Sequence, residues 1–407
     1  MPDLCKLENY EEITPEIVKA DLACAVEQIL TVLPDFTDKF QPAYSIGNFY
    51  RPSENTDWTN GFWTGEIWLA YEYLKRIHPE EPEKASLLYD AGKVQVKSFL
   101  TRIEQKISVD HHDMGFLYSP SCVAAYKLTG DEDAKKAAIL AADQLLTRFQ
   151  PVGAFLQAWG PMNEKANYRL IIDCLLNLPL LFWATEETGE TKYSEIALKH
   201  IHTAVQNVIR PDGSTWHTFF FDPVTGNPDH GETCQGYRNG SAWSRGQAWG
   251  IYGMAVAYRY TKDPSYIDLF YRVTDYFLQH LPDDLIPYWD LEFTSWTKEQ
   301  LLDDPQPKDS SSASIAACGM LEMSKYLPKE QADAYTGYAK KLMKAISDTC
   351  AVRDLTRSNG LVLHSTYSNH SPYNTCNHYG VDECNSWGDY FYLEALTRLD
   401  CDWEVYW

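Results

Sequence analysis

The segment SPSCVAAYKLTGDEDAKKAAILAADQLLTRF, residues 119–149, contains two helical patterns on either side of the tripeptide Thr129-Gly-Asp131. Apolar residues recur with helical periodicity before and after this tripeptide, which predicts helices over 118–129 and 131–149. Glycine is favoured directly after a helix, and aspartate is favoured directly before one. The segment therefore predicts a tight helix–turn–helix hairpin.

Similar junctions occur at Glu187-Thr-Gly-Glu190 and Tyr260-Thr-Lys-Asp263, and Pro264 suits a first helical position. The same periodicity predicts about twelve helices in all. Their predicted spans are 14–33, 60–78, 83–107, 118–129, 131–149, 168–187, 191–208, 243–261, 264–281, 310–326, 329–349 and 385–399.

Polar loops rich in Trp and Gly precede every second predicted helix. Their sequences are NTDWTNGFWTG, DHHDMGFLYSPS, FLQAWGPMNEKANYR, QGYRNGSAWSRGQAW, DDPQPKDSSS and GVDECNSWGD. The alternate helices are amphipathic, as expected for an outer layer. We therefore predict an all-α fold, an (α/α)6 barrel of six hairpins with its long loops on one face. A solenoid would repeat at a fixed period, and these junctions are spaced irregularly.

The region 209–242 interrupts this pattern, and its turn signals and the run WHTFFFD predict a small β-rich insertion over the mouth of the barrel. No linker rich in Gly and Ser is present, so residues 1–407 are predicted to form one catalytic domain.

The formal net charge of −22 argues against binding to nucleic acid. No apolar run is long enough to cross a membrane, and the start MPDLCKLENYEEITPE lacks the pattern of a signal peptide. The ten cysteines are scattered without metal-binding spacing. These features predict a cytoplasmic protein with reduced thiols and no metal or cofactor, and they leave the oligomeric state open.

Asp173 is the one carboxylate inside the apolar run NYRLIIDCLLNLPLL, residues 167–181. Burial raises the pKa of a carboxyl group, and a carboxyl that stays protonated near neutral pH is a candidate general acid. The alternative is an ordinary helical ion pair with Arg169, one turn earlier.

Asp113 follows two histidines at the start of a predicted inner helix, next to the inner helix that carries Asp173. A second carboxylate there would raise the pKa of Asp173, and two carboxylates in a cleft are the minimum for glycoside chemistry. The alternative is that Asp113 only caps its helix.

Several further side chains belong to the same loops. His217 lies in the predicted insertion, and Arg245 is a candidate partner for a substrate carboxylate, with a barrel-closing salt bridge as the alternative. The tryptophans at loop–helix junctions predict a platform for stacking on sugar rings. They are Trp63, Trp159, Trp243 and Trp249. His200 and His202 lie two apart on an outer helix, which is a poor arrangement for a metal.

The motifs resemble those of the bacterial unsaturated glucuronyl hydrolases, also called unsaturated chondroitin disaccharide hydrolases, from about residue 45 onward. The unsaturated rhamnogalacturonyl hydrolases are similar in fold but resemble these loops less. The matching motifs, in chain order, are WTNGFWTG, DHHDMGFLYSPS, QAWG, YRLIIDCLLN, WHTFFFDPVTG, SRGQAWGIYG, PYWDLEF and WGDYFYLEAL.

The resemblance implies metal-free hydration of the C4=C5 bond of a Δ4,5-unsaturated glucuronate at the end of a lyase-generated oligosaccharide. It implies that Asp173 is the acid and that Asp113 assists it. The residues that it implies for substrate binding are His217, Arg245, Trp63, Trp159, Trp249, Gln235, Ser368 and Ser371.

One departure concerns sulfate. Relatives that favour sulfated fragments carry Ser-x-x-Ser-x-Lys, whereas this chain has Ser368-Asn-His-Ser371-Pro-Tyr373 followed by an apparent insertion. Without the lysine, a sulfate would lose its cation, although His370 or His378 could partly replace it. We therefore predict that the preference for sulfate is lost.

From the residues alone, two other functions stay open. An inverting glycosidase would use Asp113 and Asp173 as base and acid, and a carbohydrate-binding protein would need only the tryptophans.

Overall fold

A computed structural model of the chain describes residues 5–162 and 164–407. Most of these residues are helical, and the strands are short. The helices are α1 Cys5–Glu8, α2 Pro15–Phe36, α3 Asn60–Ile77, α4 Pro82–Glu104, α5 Met114–Tyr118, α6 Ala124–Thr129, α7 Glu132–Leu146, α8 Pro179–Thr188, α9 Lys192–Val208, α10 Ser244–Thr261, α11 Ser265–Gln279, α12 Lys298–Asp303, α13 Ser310–Ser324, α14 Lys329–Thr349 and α15 Ser386–Asp400.

The helices form two concentric layers. The inner ring runs from α3 through α5–α6, α8, α10 and α13 to α15, and α15 packs back against α3 and closes the ring. The outer helices α2, α4, α7, α9, α11 and α14 each pack on an inner helix. Inner helices such as α10 and α13 are buried on nearly all sides, whereas α11 and α14 bury one stripe. The predicted (α/α)6 barrel is therefore confirmed.

The strands form three small sheets. They are β1 Phe149–Gln150, β2 Phe155–Leu156, β3 Arg169–Ile171, β4 Thr218–Phe221, β5 Pro228–Glu232, β6 Ser365–Ser368 and β7 Tyr379–Glu383. The antiparallel order β3-β4-β5 contains the hairpin predicted within 209–242. The pairing of β3 with β4 places His217 beside the segment that contains Asp173, because the Ile172 N–H donates to the His217 carbonyl.

The predicted helix over 168–187 is wrong in its first half. Residues 169–171 are strand β3, a 3-10 helix follows at Ile172–Leu176, and the α-helix begins only at Pro179. Proline lacks an N–H and is favoured in the first turn of a helix, so its position marks a start rather than an interior. The apolar run is buried on every side, and a short buried strand cannot be distinguished from a helix by periodicity.

The inner helix predicted over 118–129 begins four residues earlier, at Met114, and contains a π turn at Ser119–Val123. Pro120 lies in this turn, and a proline inside a helix removes one backbone hydrogen bond. The hairpin junctions agree with prediction, except that Pro264 lies at the N-cap of α11 and not at its first helical position. Gly130 and Gly189 end their helices in the left-handed conformation, and the Asp131 side chain accepts hydrogen bonds from the first turn of α7.

Within the part of the chain that the structure describes, no helix is long and apolar enough to span a bilayer. Nine cysteines there are free thiols, and Cys122, Cys174, Cys318, Cys350 and Cys384 are buried.

Candidate active site

A cavity of about 360 Å³ opens where the loops that precede the inner helices converge. Its lining brings together residues from across the sequence. They are Trp58, His112, Asp113, Trp159, Ile171, Asp173, His217, Gln235, Trp243, Arg245, Trp249 and Tyr367.

Asp173 enters the cavity from the first turn of the 3-10 helix that follows β3. Its side chain is 14% exposed. The ion pair with Arg169 that sequence reasoning left open is absent, because Arg169 lies in β3 with its guanidinium 4.9 Å from the centre of the Trp159 ring. The local break between strand and helix therefore turns this carboxylate into the cavity.

Asp113 lies at the N-terminus of α5, but its side chain makes no capping hydrogen bond. The capping alternative is therefore not supported, and the carboxylate faces the cavity instead. Gly115 allows this part of α5 to approach Asp173, since a Cβ at this position would lie 2.3 Å from Asn177 Cα. The Asn177 side chain also accepts a hydrogen bond from the Phe116 N–H at 2.8 Å.

His112 connects the two carboxylates. Its Nε2 atom lies 3.4 Å from Asp113 Oδ1 and 3.6 Å from Asp173 Oδ1, and the three side chains each offer one ligand atom within 4.8 Å of the other two. The predicted neighbourhood of Asp113 and Asp173 is thus present in the fold, and an imidazole that sequence reasoning did not select lies between them.

The two carboxyl groups have opposite pKa shifts. Burial, reinforced by the charge of Asp113, raises the pKa of Asp173 well above its usual range, and the nearby Arg245 only partly offsets this. Burial also acts to raise the pKa of Asp113, but His112 and His111 outweigh it and the pKa is lowered. The pair therefore holds its shared proton on Asp173 and its charge on Asp113.

His217 is buried and neutral, since desolvation and then the charge of Arg245 lower its pKa to about 3. Its Nδ1 atom accepts a hydrogen bond from the Gln235 N–H, and its ring packs on Trp243 with centroids 4.4 Å apart. Gln235 Oε1 in turn accepts from Arg245, which leaves the Gln235 amide NH2 as the donor available to the cavity.

Arg245 forms the salt bridge that was its alternative role. Its Nη1 atom lies 2.9 Å from Asp309 Oδ2, with both groups buried, and also donates to the Thr366 carbonyl, while Nη2 donates to the Tyr367 carbonyl. Its guanidinium is held over the ring of Trp243. Arg245 lines the cavity with most of its donors already engaged.

Three of the four predicted tryptophans line the cavity. Trp159 is 43% exposed, whereas Trp243 and Trp249 present parts of buried rings. Trp63 does not line it, because it lies inside α3 with its indole N–H bonded to the Phe36 carbonyl, and it is completely buried. Its prediction as a substrate-binding residue is therefore not supported.

Trp58 occupies the place expected for Trp63. It lies in the loop before α3, 5.4 Å from Trp387 in a stacked arrangement, and its indole N–H donates to Tyr367. The sequence offered one signal that could have identified Trp58, namely its position. Like Trp159 and Trp243, it lies in a loop that precedes an inner helix. Tyr367 and His112 carried no comparable signal in the sequence.

Ser368 and Ser371 do not line this cavity. Their hydroxyls donate to the carbonyls of Asn377 and Tyr237 and hold the loop together. Ser371 lines an adjoining open groove of about 710 Å³, together with Tyr237 and His370.

Among the described residues, two groups of three side chains are close enough to hold a metal ion, although the spacing in the sequence suggested none. One is His112, Asp113 and Asp173 in the cavity, and the other is His78, Glu80 and Glu81 on the surface.

The chain is similar to known proteins over nearly all of its length. The profile of glycosyl hydrolase family 88 matches residues 33–399. An unsaturated chondroitin disaccharide hydrolase of Streptococcus pneumoniae is 44% identical over 98% of this chain and 97% of its own length. An unsaturated glucuronyl hydrolase of Bacillus sp. strain GL1 is 38% identical over 92% of this chain and 94% of its own.

The crystal structure of the unsaturated glucuronyl hydrolase of Streptococcus agalactiae superposes with a TM-score of 0.91 at 43% identity, covering 100% of this chain and 97% of that one. An aspartate-to-asparagine mutant of that enzyme, solved in complex with dGlcA-GalNAc6S, has a TM-score of 0.84 at 40% identity, with the same coverage. With this coverage and identity, the chain belongs to glycosyl hydrolase family 88.

Proposed function

We propose that this protein is an unsaturated glucuronyl hydrolase that hydrates the C4=C5 bond of a Δ4,5-unsaturated glucuronate at the non-reducing end of lyase-generated oligosaccharides. The observation that carries the proposal is Asp173, a cavity carboxyl whose pKa burial and Asp113 raise well above its usual range. A carboxyl whose pKa is raised in this way favours its protonated form and can act as a general acid.

In the proposed reaction the carboxyl of Asp173 donates its proton to C4, and the electrons of the double bond leave a cation shared by C5 and the ring oxygen. Water then adds to C5, and its proton passes to the carboxylate, which restores the acid. The resulting hemiketal opens to the C5 ketone, and C1 releases the reducing sugar. The products are a 4-deoxy-5-keto uronate and the shortened saccharide, and the reaction consumes one water molecule.

Asp113 is proposed to bind ring hydroxyls and to keep Asp173 protonated through its charge. The Gln235 amide and the neutral His217 imidazole are proposed to contact the uronate. The Arg245–Asp309 pair supplies little net charge, so Arg245 acts by orienting Gln235. Trp159, with its exposed ring, is the best candidate for stacking on a sugar.

The spacing of the carboxylates argues against an inverting glycosidase. Inverting enzymes separate their two carboxyl groups by about 6.5–9.5 Å to admit a water molecule. Here the nearest oxygens of Asp113 and Asp173 lie within 4.8 Å, and His112 lies against both. The names of the curated relatives, all hydrolases of unsaturated uronates or of unsaturated chondroitin disaccharides, point the same way.

The test follows the ultraviolet band of the conjugated C4=C5 bond in an unsaturated chondroitin disaccharide. The wild type should remove the band, and Asp173→Asn should lower kcat by about 10²–10⁴-fold, the usual contribution of a general acid. Asp303→Asn, an exposed aspartate at the end of α12, is the matched control and should keep full activity. A band that persists with the wild type on several lyase products contradicts the proposal, and release of sugar from saturated glycosides would favour a glycosidase instead.

We also propose that the chain is one catalytic domain and works in the cytoplasm. A continuous buried cluster reaching from Leu7 to Trp407 supports the first proposal. The buried free thiols, such as Cys174 and Cys318, support a reducing compartment.

A further inference from the structure

His112 has an unusual environment. Its side chain is completely buried, and neither ring nitrogen has a hydrogen-bond partner among the described residues. The same holds for Asp173 Oδ1, which His112 Nε2 faces at 3.6 Å. A buried polar atom without a partner is costly, and in a native protein it calls for an explanation such as a bound ion, an ordered water or a catalytic role. The orientation of His112 therefore points to a ligand held between its imidazole and the two carboxylates.

The geometry indicates what kind of ligand fits. Zn²⁺ binds imidazole nitrogen and carboxylate oxygen at about 2.0–2.2 Å in a tetrahedron, so two of its ligand atoms lie about 3.3–3.5 Å apart. The distances from His112 Nε2 to Asp113 Oδ1 and Asp173 Oδ1 are 3.4 and 3.6 Å. They already approximate two edges of that tetrahedron, and the oxygens of Asp113 and Asp173 that would form the third edge lie within 4.8 Å of each other.

The donor set selects among metals. One imidazole with two carboxylates suits Zn²⁺ and similar first-row transition ions, whereas Mg²⁺ prefers an octahedron of oxygens. Three protein ligands leave the fourth position of the ion open, and this position faces the cavity. Arg245 acts electrostatically on Asp173, but its charge is paired with Asp309, so it opposes a bound ion only weakly.

We propose that His112, Asp113 and Asp173 form a binding site for one Zn²⁺ ion or a similar transition-metal ion, and that the bound ion reversibly inhibits the enzyme. The ion takes the carboxylate oxygen of Asp173 that would otherwise carry the catalytic proton, and it occupies the space where C4 of the substrate must lie. Binding of the ion is independent of the proposed function. Inhibition rests on it, since it assumes that Asp173 is the acid.

The first experiment measures binding without any assay of activity. Protein freed of metals by dialysis against a chelator is titrated with Zn²⁺ in a calorimeter, and with Co²⁺ while its d–d absorption is recorded. The wild type should bind one ion tightly, and His112→Gln and Asp113→Asn should each weaken binding by about 100-fold or more, since even an outer-shell partner contributes about 10–100-fold. The control is His78→Gln in the surface group, where His78 Nδ1 lies 3.1 Å from Glu80, and it should bind as the wild type does.

Loss of tight binding in His78→Gln with retention in His112→Gln, or no tight site in the wild type, overturns the proposal. If His112→Gln fails to fold, as judged by circular dichroism, Asp113→Asn and His78→Gln provide the same comparison.

The second experiment measures inhibition of the enzyme by Zn²⁺. This inhibition should be competitive with substrate, its inhibition constant should match the calorimetric affinity, and chelator should reverse it. Full turnover with the site occupied would overturn the inhibitory part. An enzyme inactive on every unsaturated substrate would instead contradict the proposed function, and the calorimetric result would stand.

Discussion

At the scale of single residues, the environment of each carboxyl group decides its role. Asp113 and Asp173 are the same side chain, yet the pKa of Asp113 is lowered by its histidine neighbours while that of Asp173 is raised by burial and by Asp113. Asp173 therefore loses its activity as an acid when the pH rises above its pKa, which burial and then the charge of Asp113 raise.

Asp113→Asn should accordingly move the falling, high-pH limb of the kcat profile to lower pH, because removal of a neighbouring negative charge lowers the pKa of Asp173. The loss of one charged hydrogen bond to substrate, about 1.5–3 kcal/mol, should also reduce kcat/KM by about 10- to 100-fold. The profile is measured by the ultraviolet assay over a range of pH, with Asp303→Asn as the control. An unshifted limb would contradict electrostatic coupling between the two carboxyl groups.

The adjoining groove offers no unpaired cation for a sulfate among the described residues. Tyr373, which we predict to stand where sulfate-preferring relatives carry a lysine, is 63% exposed and packs near Tyr237. Lys308, which lines this groove, is paired with Asp284. His370 uses its Nδ1 on the Cys376 carbonyl.

We therefore expect similar or lower kcat/KM for sulfated than for unsulfated chondroitin disaccharides. Tyr373→Lys should raise the ratio of kcat/KM for the sulfated disaccharide to kcat/KM for the unsulfated one by about tenfold, which corresponds to one charge-assisted hydrogen bond. Tyr89→Lys, on the outer helix α4, controls for added charge. A clear preference for sulfate in the wild type would contradict this expectation.

At the scale of elements, the hairpins depend on chain reversals that glycine permits. Gly130 has φ of +70°, and a Cβ there would meet no atom within 4 Å. The cost of substitution is therefore conformational and not steric. Gly130→Ala should lower the free energy of unfolding by about 1 kcal/mol, and Gly130→Asn by less, since Asn tolerates this region better. The urea midpoint measures both. Equal midpoints for Gly130→Ala and the wild type would contradict the argument.

At the scale of the whole molecule, closure of the ring buries two carboxyl groups between α3 and α15. Glu66 has no hydrogen-bond partner among the described residues. Desolvation and then Asp389 raise its pKa well above the usual range, while burial raises the pKa of Asp389 from 3.8 to about 7. Groups with a raised folded-state pKa stabilise the fold fully below their unfolded pKa, and this stability is lost as the pH rises through the folded value.

Stability should therefore fall as the pH rises from about 4 to 7, the range set by Asp389. Glu66→Gln should flatten the decline and be relatively more stable at high pH. Glu322 provides a control of opposite sign. Burial opposes its ionisation, but Arg398 at 2.7 Å prevails and lowers its pKa to about 2. Glu322→Gln should thus destabilise the protein at neutral pH. The urea midpoints of the wild type, Glu66→Gln and Glu322→Gln are measured at several pH values. Parallel curves of midpoint against pH for Glu66→Gln and the wild type would contradict the account.

The sequence by itself determined the helical hairpins and the layered barrel, because helical periodicity and end-capping residues such as Gly130 and Asp131 act within a few positions of the chain. It also identified Asp173 as a candidate buried acid, because removing an isolated carboxylate from water costs free energy in whatever secondary structure the apolar run adopts. The roles it assigned to individual residues stay predictions.

Only the tertiary structure decided which side chains share the cavity. Trp58 lines it in place of Trp63, and Arg245 is already paired with Asp309, because contacts between distant segments depend on where each loop turns. Residues 169–171 form a strand because β4 supplies the partners for their backbone hydrogen bonds, and Phe219, which pairs with Leu170, lies 49 residues later in the sequence. A 3-10 helix follows this strand at Ile172–Leu176. The position of His112 between two carboxylates likewise arises from a close approach of backbones at Gly115 that no local pattern encodes.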